Sequence, residues 1–402
     1  MLLISYLLLF LASVLAIPAA VFCCEIIAAI ISLRRGIPTP PRNEFRPRIA
    51  VLVPAHNESK GLLPTLADVQ QQLRPGDRVL VVADNCTDDT ASVALAAGAE
   101  VIERRDPTRR GKGYALAFGI DHLQANPVDA VIMIDADCRL APDTIDHLGS
   151  SCAATRRPVQ VPYLMTAPAG SPINYQVAEF AWRAKNWLRP LGLSALGMPC
   201  QLMGTGTAIP WELIHSADLA HGSIVEDLKL GLDLAMAGHP PVFCPSTRVM
   251  SEFAASDTGA KAQRSRWEQG HIYTIVTEAP RLLWRAVTRR DGALLALALD
   301  LSVPPLSLLA MLVGSLLLAT LLAALLHLSL VPAAISLASF VALLFATILA
   351  WLYCGRDVLP GRAVLSIPMY AFRKLGLYRD LMSGRMDTQW VRTDRKKPSE
   401  EI

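Results

Sequence analysis

Apolar residues fall in two long blocks with a mixed stretch between them. Residues 2–33 contain a single charged side chain, Glu25, and run into Arg34–Arg35. From Leu301 to Gly355 there are 55 residues without Lys, Arg, Asp or Glu. A helix needs about 20 mainly apolar residues to cross a bilayer. The first block therefore predicts one span and the second predicts two, divided by a hairpin near His327–Pro332. Asp300 and the pair Pro304–Pro305 interrupt the stretch that starts at Ala293, which reads as an interfacial or re-entrant segment. Residues 1–20 lack a basic n-region, and their apolar run exceeds the roughly 7–15 residues of a secretory h-region. A retained anchor is expected.

Between the blocks the pattern changes to short apolar or β-branched runs alternating with helical stretches. Ile49–Val53, Val79–Ala83, Glu100–Ile102 and Ala130–Ile134 predict buried strands, and Glu58–Leu73, Asp88–Ala97 and Gly113–Leu123 predict helices. Thr87 or Asp88 is the expected N-cap of the second helix. Strands separated by helices imply right-handed crossovers and a mainly parallel sheet. Ligands of such sheets bind outside the carboxyl ends of the strands.

Composition follows from this division. The 402 residues are 52% hydrophobic but only 18% charged, below the roughly 25% of globular domains, because the two blocks dilute the charge. With 38 Lys plus Arg against 35 Asp plus Glu, net charge is +3, which is no footprint for nucleic acid. Arg34, Arg35, Arg42, Arg46 and Arg48 follow the first span, Arg281, Arg285, Arg289 and Arg290 precede the second, and Arg356 and Arg362 follow the last. Basic residues stay on the cytoplasmic side, so the middle of the chain and its C-terminus are expected inside. The glycosylation patterns at Asn57 and Asn85 are discounted on that topology. The eight cysteines form no C-x-x-C pair and read as reduced thiols.

The strand ends are acidic. Strand 49–53 runs into Pro54-Ala55-His56-Asn57-Glu58, strand 79–83 into Asp84-Asn85, and strand 130–134 into Asp135-Ala136-Asp137. Carboxylates gathered at one mouth repel unless a cation compensates, and an Asp-x-Asp turn lets two of them approach one Mg²⁺ or Mn²⁺. An acid at such a place, Asp84 included, can equally cap the next helix. Glu226-Asp227 opens a helical pattern, Asp227–Ala237, where an acid also suits the helix dipole. Gln263, Arg266 and Trp267 share one helix face by their spacing. An amide, a guanidinium and an indole on one face suit a phosphate and a sugar or base ring, or else a helix at a membrane surface.

In order, these elements resemble family 2 glycosyltransferases, in particular the membrane-embedded branch of cellulose, hyaluronan and poly-N-acetylglucosamine synthases and ceramide glucosyltransferase. The likeness covers about residues 46–280 and the order of the membrane segments. It implies an α/β GT-A fold, Rossmann-like with a mainly parallel sheet, and about three transmembrane helices, one N-terminal and two C-terminal. By resemblance, Pro54, Asn57, Glu58 and Asp84 wall the nucleotide, with Lys112 and Asp135 also at the nucleotide-sugar. Asp137 is the metal ligand for Mg²⁺ or Mn²⁺, and Asp227 is the catalytic base. Glu226, Gln263, Arg266 and Trp267 border the diphosphate and the acceptor. Gly204-Thr205-Gly206 resembles the strand start beside the acceptor. The chain departs from the polymer-extruding synthases in having too few spans to line a channel. Cys138, next to Asp137, is read as a filler rather than a soft ligand.

The expected organisation is an anchor at 1–33, a cytosolic GT-A domain at 46–280, an interfacial segment at 281–300, a transmembrane hairpin at 301–355 and a basic tail with an interfacial helix at 356–402. The resemblance implies an inverting transfer from a nucleotide-sugar, UDP-linked by expectation, to a glycan or lipid-linked acceptor at the cytoplasmic face of a bacterial inner membrane. The expected setting is extracellular polysaccharide synthesis, with membrane lipid and export or polymerisation subunits as partners. A single transfer to a ceramide-like lipid is the alternative, and a non-catalytic membrane scaffold the distant one. A sugar nucleotidyltransferase would need a glycine-rich phosphate loop after the first strand, which Pro54–Glu58 does not provide.

Overall fold

The computed structural model describes residues 2–37, 46–220, 225–254, 256–364 and the single positions 374, 376 and 378. Arg42 and, apart from those three positions, residues 365–402 of the tail in which an interfacial helix is expected lie outside the described residues. The chain divides into two compact units, one drawn from 1–36, 169–198 and 271–386, the other mainly from 37–168 and 199–270. The block expected as one domain, 46–280, is thus shared: 169–198 and the residues from 271 group with the apolar helices.

Among the described residues, the second unit is built on ten short strands: β1 Ile49–Ala55, β2 Arg78–Asp84, β3 Glu100–Arg104, β4 Ala130–Met133, β5 Arg139–Leu140, β6 Val159–Gln160, β7 Tyr163–Thr166, β8 Thr207–Pro210, β9 Val242–Phe243 and β10 Val249–Glu252. Seven form one sheet in the order β3-β2-β1-β4-β8-β6-β9, and β5-β10-β7 form a second. β3, β2, β1 and β4 run parallel, and β8 pairs antiparallel with β4. Ile49 through Val53 are completely buried, as a strand covered on both faces must be, which is why β1 reads as an unbroken apolar run. The helix Lys112–Leu123 packs Leu116 and Ile120 onto Leu52, Leu80 and Val82, and Ile209 and Leu230 close the same core. Strand order reverses at β1, so the carboxyl ends of β1, β2 and β4 frame the crevice where ligands of such sheets bind.

Local boundaries differ from the sequence reading where backbone chemistry intervenes. The stretch expected as one helix from Glu58 starts as a 3₁₀ turn at Ser59–Leu62 and becomes α-helical over Leu63–Gln70. Pro64 has no N–H, so an α-helix tolerates it only in its first turn. The next helix begins at Thr90, with Asp89 in the cap position, whereas Thr87 or Asp88 was expected. Asp88 still contributes, because its carboxylate accepts the Thr90 N–H at 3.1 Å.

Among the described residues, the first unit contains three helices long and apolar enough to cross a membrane: Leu2–Arg35, Leu306–Leu325 and Val331–Cys354. At about 1.5 Å per residue, even the 20-residue helix spans a hydrocarbon core of about 30 Å. Gly292–Leu301 has only 10 residues and falls short of a span. The segment 169–198 supplies the helices Ile173–Arg183 and Arg189–Ala195, joined by a π-turn at Ala184–Leu188. Arg189 organises this unit. Its Nε donates to Glu25 Oε2 at 2.6 Å, and its Nη2 donates to Asp300 Oδ1 at 2.5 Å and to the Asp300 carbonyl at 2.8 Å. All three residues are buried. Charges inside such a unit persist only when paired in this way. Gly192 lets the two helices close up here, since a Cβ on it would lie 1.9 Å from the Glu25 carbonyl oxygen.

Candidate active site

The turns after the first two strands are stitched together. Asn57 adopts a left-handed φ of 54° and Asn85 one of 51°, conformations that asparagine tolerates better than most residues. Asn57 Oδ1 accepts the Thr87 N–H at 2.7 Å, His56 Nδ1 donates to the Asp84 carbonyl at 2.7 Å, and the Glu58 N–H donates to Thr90 Oγ1 at 2.9 Å. Asp84, at the end of β2, caps no helix. Its carboxylate accepts from Arg104 Nη1 at 2.7 Å, and that guanidinium lies 5.5 Å from the centre of the Tyr114 ring. Pro54, Asn57, Glu58 and Asp84 thus lie on adjoining strand ends joined by these bonds.

The acidic centre is built from five separate stretches. β4 ends at Met133 and the chain turns through Asp135 and Asp137. Thr205 Oγ1 accepts the Asp135 N–H at 3.0 Å, and Ser251 on β10 donates to Asp137 Oδ2 at 2.7 Å. Lys112, the first residue of its helix, forms an ion pair with Asp135 and donates to the Gly204 carbonyl at 2.7 Å. Gly204 has φ +89°, and a Cβ there would lie 3.2 Å from Asp227 Oδ2. Glu226 and Asp227 open the helix Glu226–Met236. Behind the turn, the buried Gln160 uses both ends of its amide. Its Nε2 donates to the Thr205 carbonyl at 2.8 Å, and its Oε1 accepts the Met203 N–H at 2.8 Å.

The charges respond to this crowding. Burial and the adjoining Asp227 carboxylate push Glu226 up to about 7, against the pull of Lys112. Burial opposes the charge on Lys112, but Asp135 and Glu226 more than offset it and hold the ammonium above the usual lysine range. Burial lowers Arg266, with Glu226 opposing, which places that guanidinium in the field of the same acids. Gln263 is buried, and its Oε1 finds no donor among the described residues.

The ligating atoms of Asp135, Asp137 and Cys138 lie within 4.8 Å of one another. Two carboxylates in a turn are hard oxygen donors that fit Mg²⁺ or Mn²⁺. The Cys138 thiol is a soft donor and a weaker match for a hard cation; burial and the two aspartates raise it well above the ordinary range. Cys138 is completely buried.

Arg104, Gln160 and Ser251 carried no signal in the sequence. Each acts on a residue 20 to 114 positions away in the chain. Residues 47–270, more than half of the chain, match the model of glycosyltransferase-like family 2. The chain belongs to that family. Among curated relatives, the family 2 chain is 25% identical over 257 residues to Probable glucomannan 4-beta-mannosyltransferase 10 of Arabidopsis thaliana, covering 57% of this chain and 44% of that one. It is 33% identical over 125 residues to the 4,4'-diaponeurosporenoate glycosyltransferase of Staphylococcus aureus strain N315, covering 30% of this chain and 32% of that one. The chain therefore spans less than half the length of these curated relatives. Its fold resembles that of the mannosyltransferase PcManGT from Pyrobaculum calidifontis, solved with GDP-Man and Mn²⁺. The TM-score is 0.54 at 21% identity, over 94% of this chain and 100% of that one. The described residues accordingly hold a mainly parallel, GT-A-like α/β domain together with one N-terminal and two C-terminal apolar helices.

Proposed function

We propose that the protein is a nucleotide-sugar-dependent, inverting glycosyltransferase acting on a glycan or lipid-linked acceptor at a membrane. The observation that carries this reading is the meeting of the Asp-x-Asp turn with the Glu226–Asp227 pair around Lys112 and Gly204. A transfer by single displacement needs negative charge managed on both sides of the anomeric carbon. The wall Pro54–Glu58 with Asp84 holds the nucleotide. Asp135 and Asp137 would hold Mg²⁺ or Mn²⁺, which when bound neutralises charge on the departing diphosphate. Arg266 adds a second cation to that side. Asp227 takes the proton of the acceptor hydroxyl as the new bond forms, which requires an approach of about 2.6–3.2 Å. Gln263 Oε1 and Trp267 offer an acceptor atom and a ring face to a sugar.

The membrane has a role in this scheme. Arginines at the inner ends of the spans orient the sheet unit toward the cytoplasm by the positive-inside tendency, where nucleotide-sugars are available. Three spans supply little wall for a polymer channel, so a polysaccharide product would leave through partner subunits. The fold likeness to PcManGT over the whole length of that protein supports a GDP- as well as a UDP-linked donor. The test uses the full chain in lipid nanodiscs with Mn²⁺, a membrane extract and UDP-glucose, UDP-N-acetylglucosamine and GDP-mannose in parallel. Release of nucleoside diphosphate from one donor, lost in Asp227→Asn while nucleotide binding persists, is expected. Full turnover in that variant would remove Asp227 as the base. A ladder of products would mean processive synthesis, and a single shifted lipid would mean one transfer.

A further inference from the structure

Lys112 sits differently from a lysine reserved for a diphosphate. Its ammonium carries three N–H donors, and two have partners within the protein: the Asp135 carboxylate and the Gly204 carbonyl. The field of Glu226 and Asp227 acts on the same ammonium. Thr205, the next residue after Gly204, accepts the Asp135 N–H. The contacts therefore close a ring: Asp135 side chain to Lys112, Lys112 to the Gly204 carbonyl, one residue along to Thr205, and Thr205 back to the Asp135 backbone. A Cβ placed on Gly204 would lie 3.2 Å from Asp227 Oδ2 and 3.5 Å from Lys112 Nζ, so the carboxylate and the ammonium converge on one point above that bare α-carbon. Gly111, with φ 135°, precedes Lys112 in a backbone conformation that an L side chain rarely adopts. The origin of the lysine is set by the fold as firmly as its tip.

We propose that Lys112 is a positioning residue for acceptor activation, cross-linking the Asp-x-Asp turn to the Gly204 turn so that Asp227 is held where the acceptor hydroxyl is deprotonated. This rests on the reading of Asp227 as the base. Without the cation, Asp135, Glu226 and Asp227 lose their shared counter-charge and the ring opens where the Lys112 ammonium joins Asp135 to Gly204. Asp227 then moves away from the Gly204 turn while the nucleotide wall of Pro54–Glu58 and Asp84, held by Thr90 and Arg104, stays in place. A displacement of about 1 Å at a reacting group can cost about 100-fold in rate.

The experiment compares Lys112→Met, Lys112→Arg, Gly204→Ala and Asp227→Asn in the full chain in nanodiscs, after thermal melts establish which variants fold. Calorimetry with UDP plus Mn²⁺ and with GDP plus Mn²⁺ reads nucleotide affinity, and steady-state kinetics with the active donor reads kcat and KM. In Lys112→Met, kcat should fall about 30- to 100-fold with nucleotide affinity within about threefold of wild type. Lys112→Arg should recover part of kcat, since a guanidinium can also reach both a carboxylate and a carbonyl. Gly204→Ala, which forces a side chain between the ammonium and Asp227, should reproduce the kcat loss and keeps the proposal testable if Lys112→Met does not fold. An affinity loss of about tenfold or more with kcat preserved would make Lys112 a donor ligand and overturn the proposal. Normal kcat in Lys112→Met beside an inactive Asp227→Asn would overturn it alone, whereas an active Asp227→Asn would overturn the underlying reading of the base.

Discussion

Ser251 donates its hydroxyl hydrogen to Asp137 Oδ2 at 2.7 Å across 114 residues of chain. The second carboxylate of the Asp-x-Asp turn is thus aimed from β10, in the smaller sheet. Partners of this kind orient a ligating carboxylate, and losing one commonly costs about 10- to 100-fold in metal affinity. Ser251→Ala should weaken Mn²⁺ binding by about tenfold at unchanged fold, read by calorimetry of Mn²⁺ with UDP or GDP. Unaltered Mn²⁺ affinity would detach Asp137 from the metal.

Arg104 and Asp84 form a buried ion pair at the end of β2, with side-chain exposures of 9% and 11%. Arg104→Met leaves the carboxylate without its counter-charge and should destabilise the protein by about 3 kcal/mol. Adding Asp84→Asn should restore part of that loss. Thermal melts of the two single variants and the double variant measure the coupling, and strictly additive losses would show that the pair is not energetically linked.

Arg189 is held by two carboxylates in the apolar unit. Arg189→Met strands Glu25 and Asp300 together and should cost about 3–5 kcal/mol. Glu25→Gln, which keeps an oxygen at the same place and removes one of two negative charges, should cost much less. The order of melting temperatures in nanodiscs checks this, and an equal loss in both variants would contradict the account.

His271 is buried, and burial together with Lys185 and Arg189 holds its pKa well below 6.5. The folded protein therefore keeps it neutral, while the unfolded chain takes up a proton below about pH 6.5. The unfolded state then binds more protons, so stability rises with pH in that window and falls as pH drops through it. The contribution is complete above 6.5 and declines by at most about 1.4 kcal/mol per pH unit below it. His271→Gln should flatten the melting temperature between pH 6.5 and 5. A profile as steep as wild type would assign the acid loss to other groups.

The two apolar blocks, the four parallel strands and the acidic strand ends were legible from local pattern, because strand burial and membrane span are properties of consecutive residues. Asp135, Asp137, Glu226 and Asp227 were legible as candidates for the same reason. Their partners were not. Gln160 looks like any polar residue between two valines, yet inside the fold its amide is shared by Met203, Thr205 and Gly206. The helix expected from Glu58 becomes α-helical only at Leu63, where Pro64 decides the first turn, and the cap expected at Thr87 or Asp88 falls at Asp89.

By itself, the sequence determined which stretches are apolar enough for a membrane, that a parallel α/β sheet lies between them, and that acids crowd its strand ends. These follow from composition and periodicity over short windows. Only the tertiary structure decided that 169–198 belongs with the apolar helices, through Arg189, Glu25 and Asp300. Only it decided that Lys112 lies between Asp135 and Gly204, beside Asp227. Both are contacts between residues tens to hundreds of positions apart. The energy of bringing opposite charges together depends on their separation in space, and that separation exists only once the chain has closed.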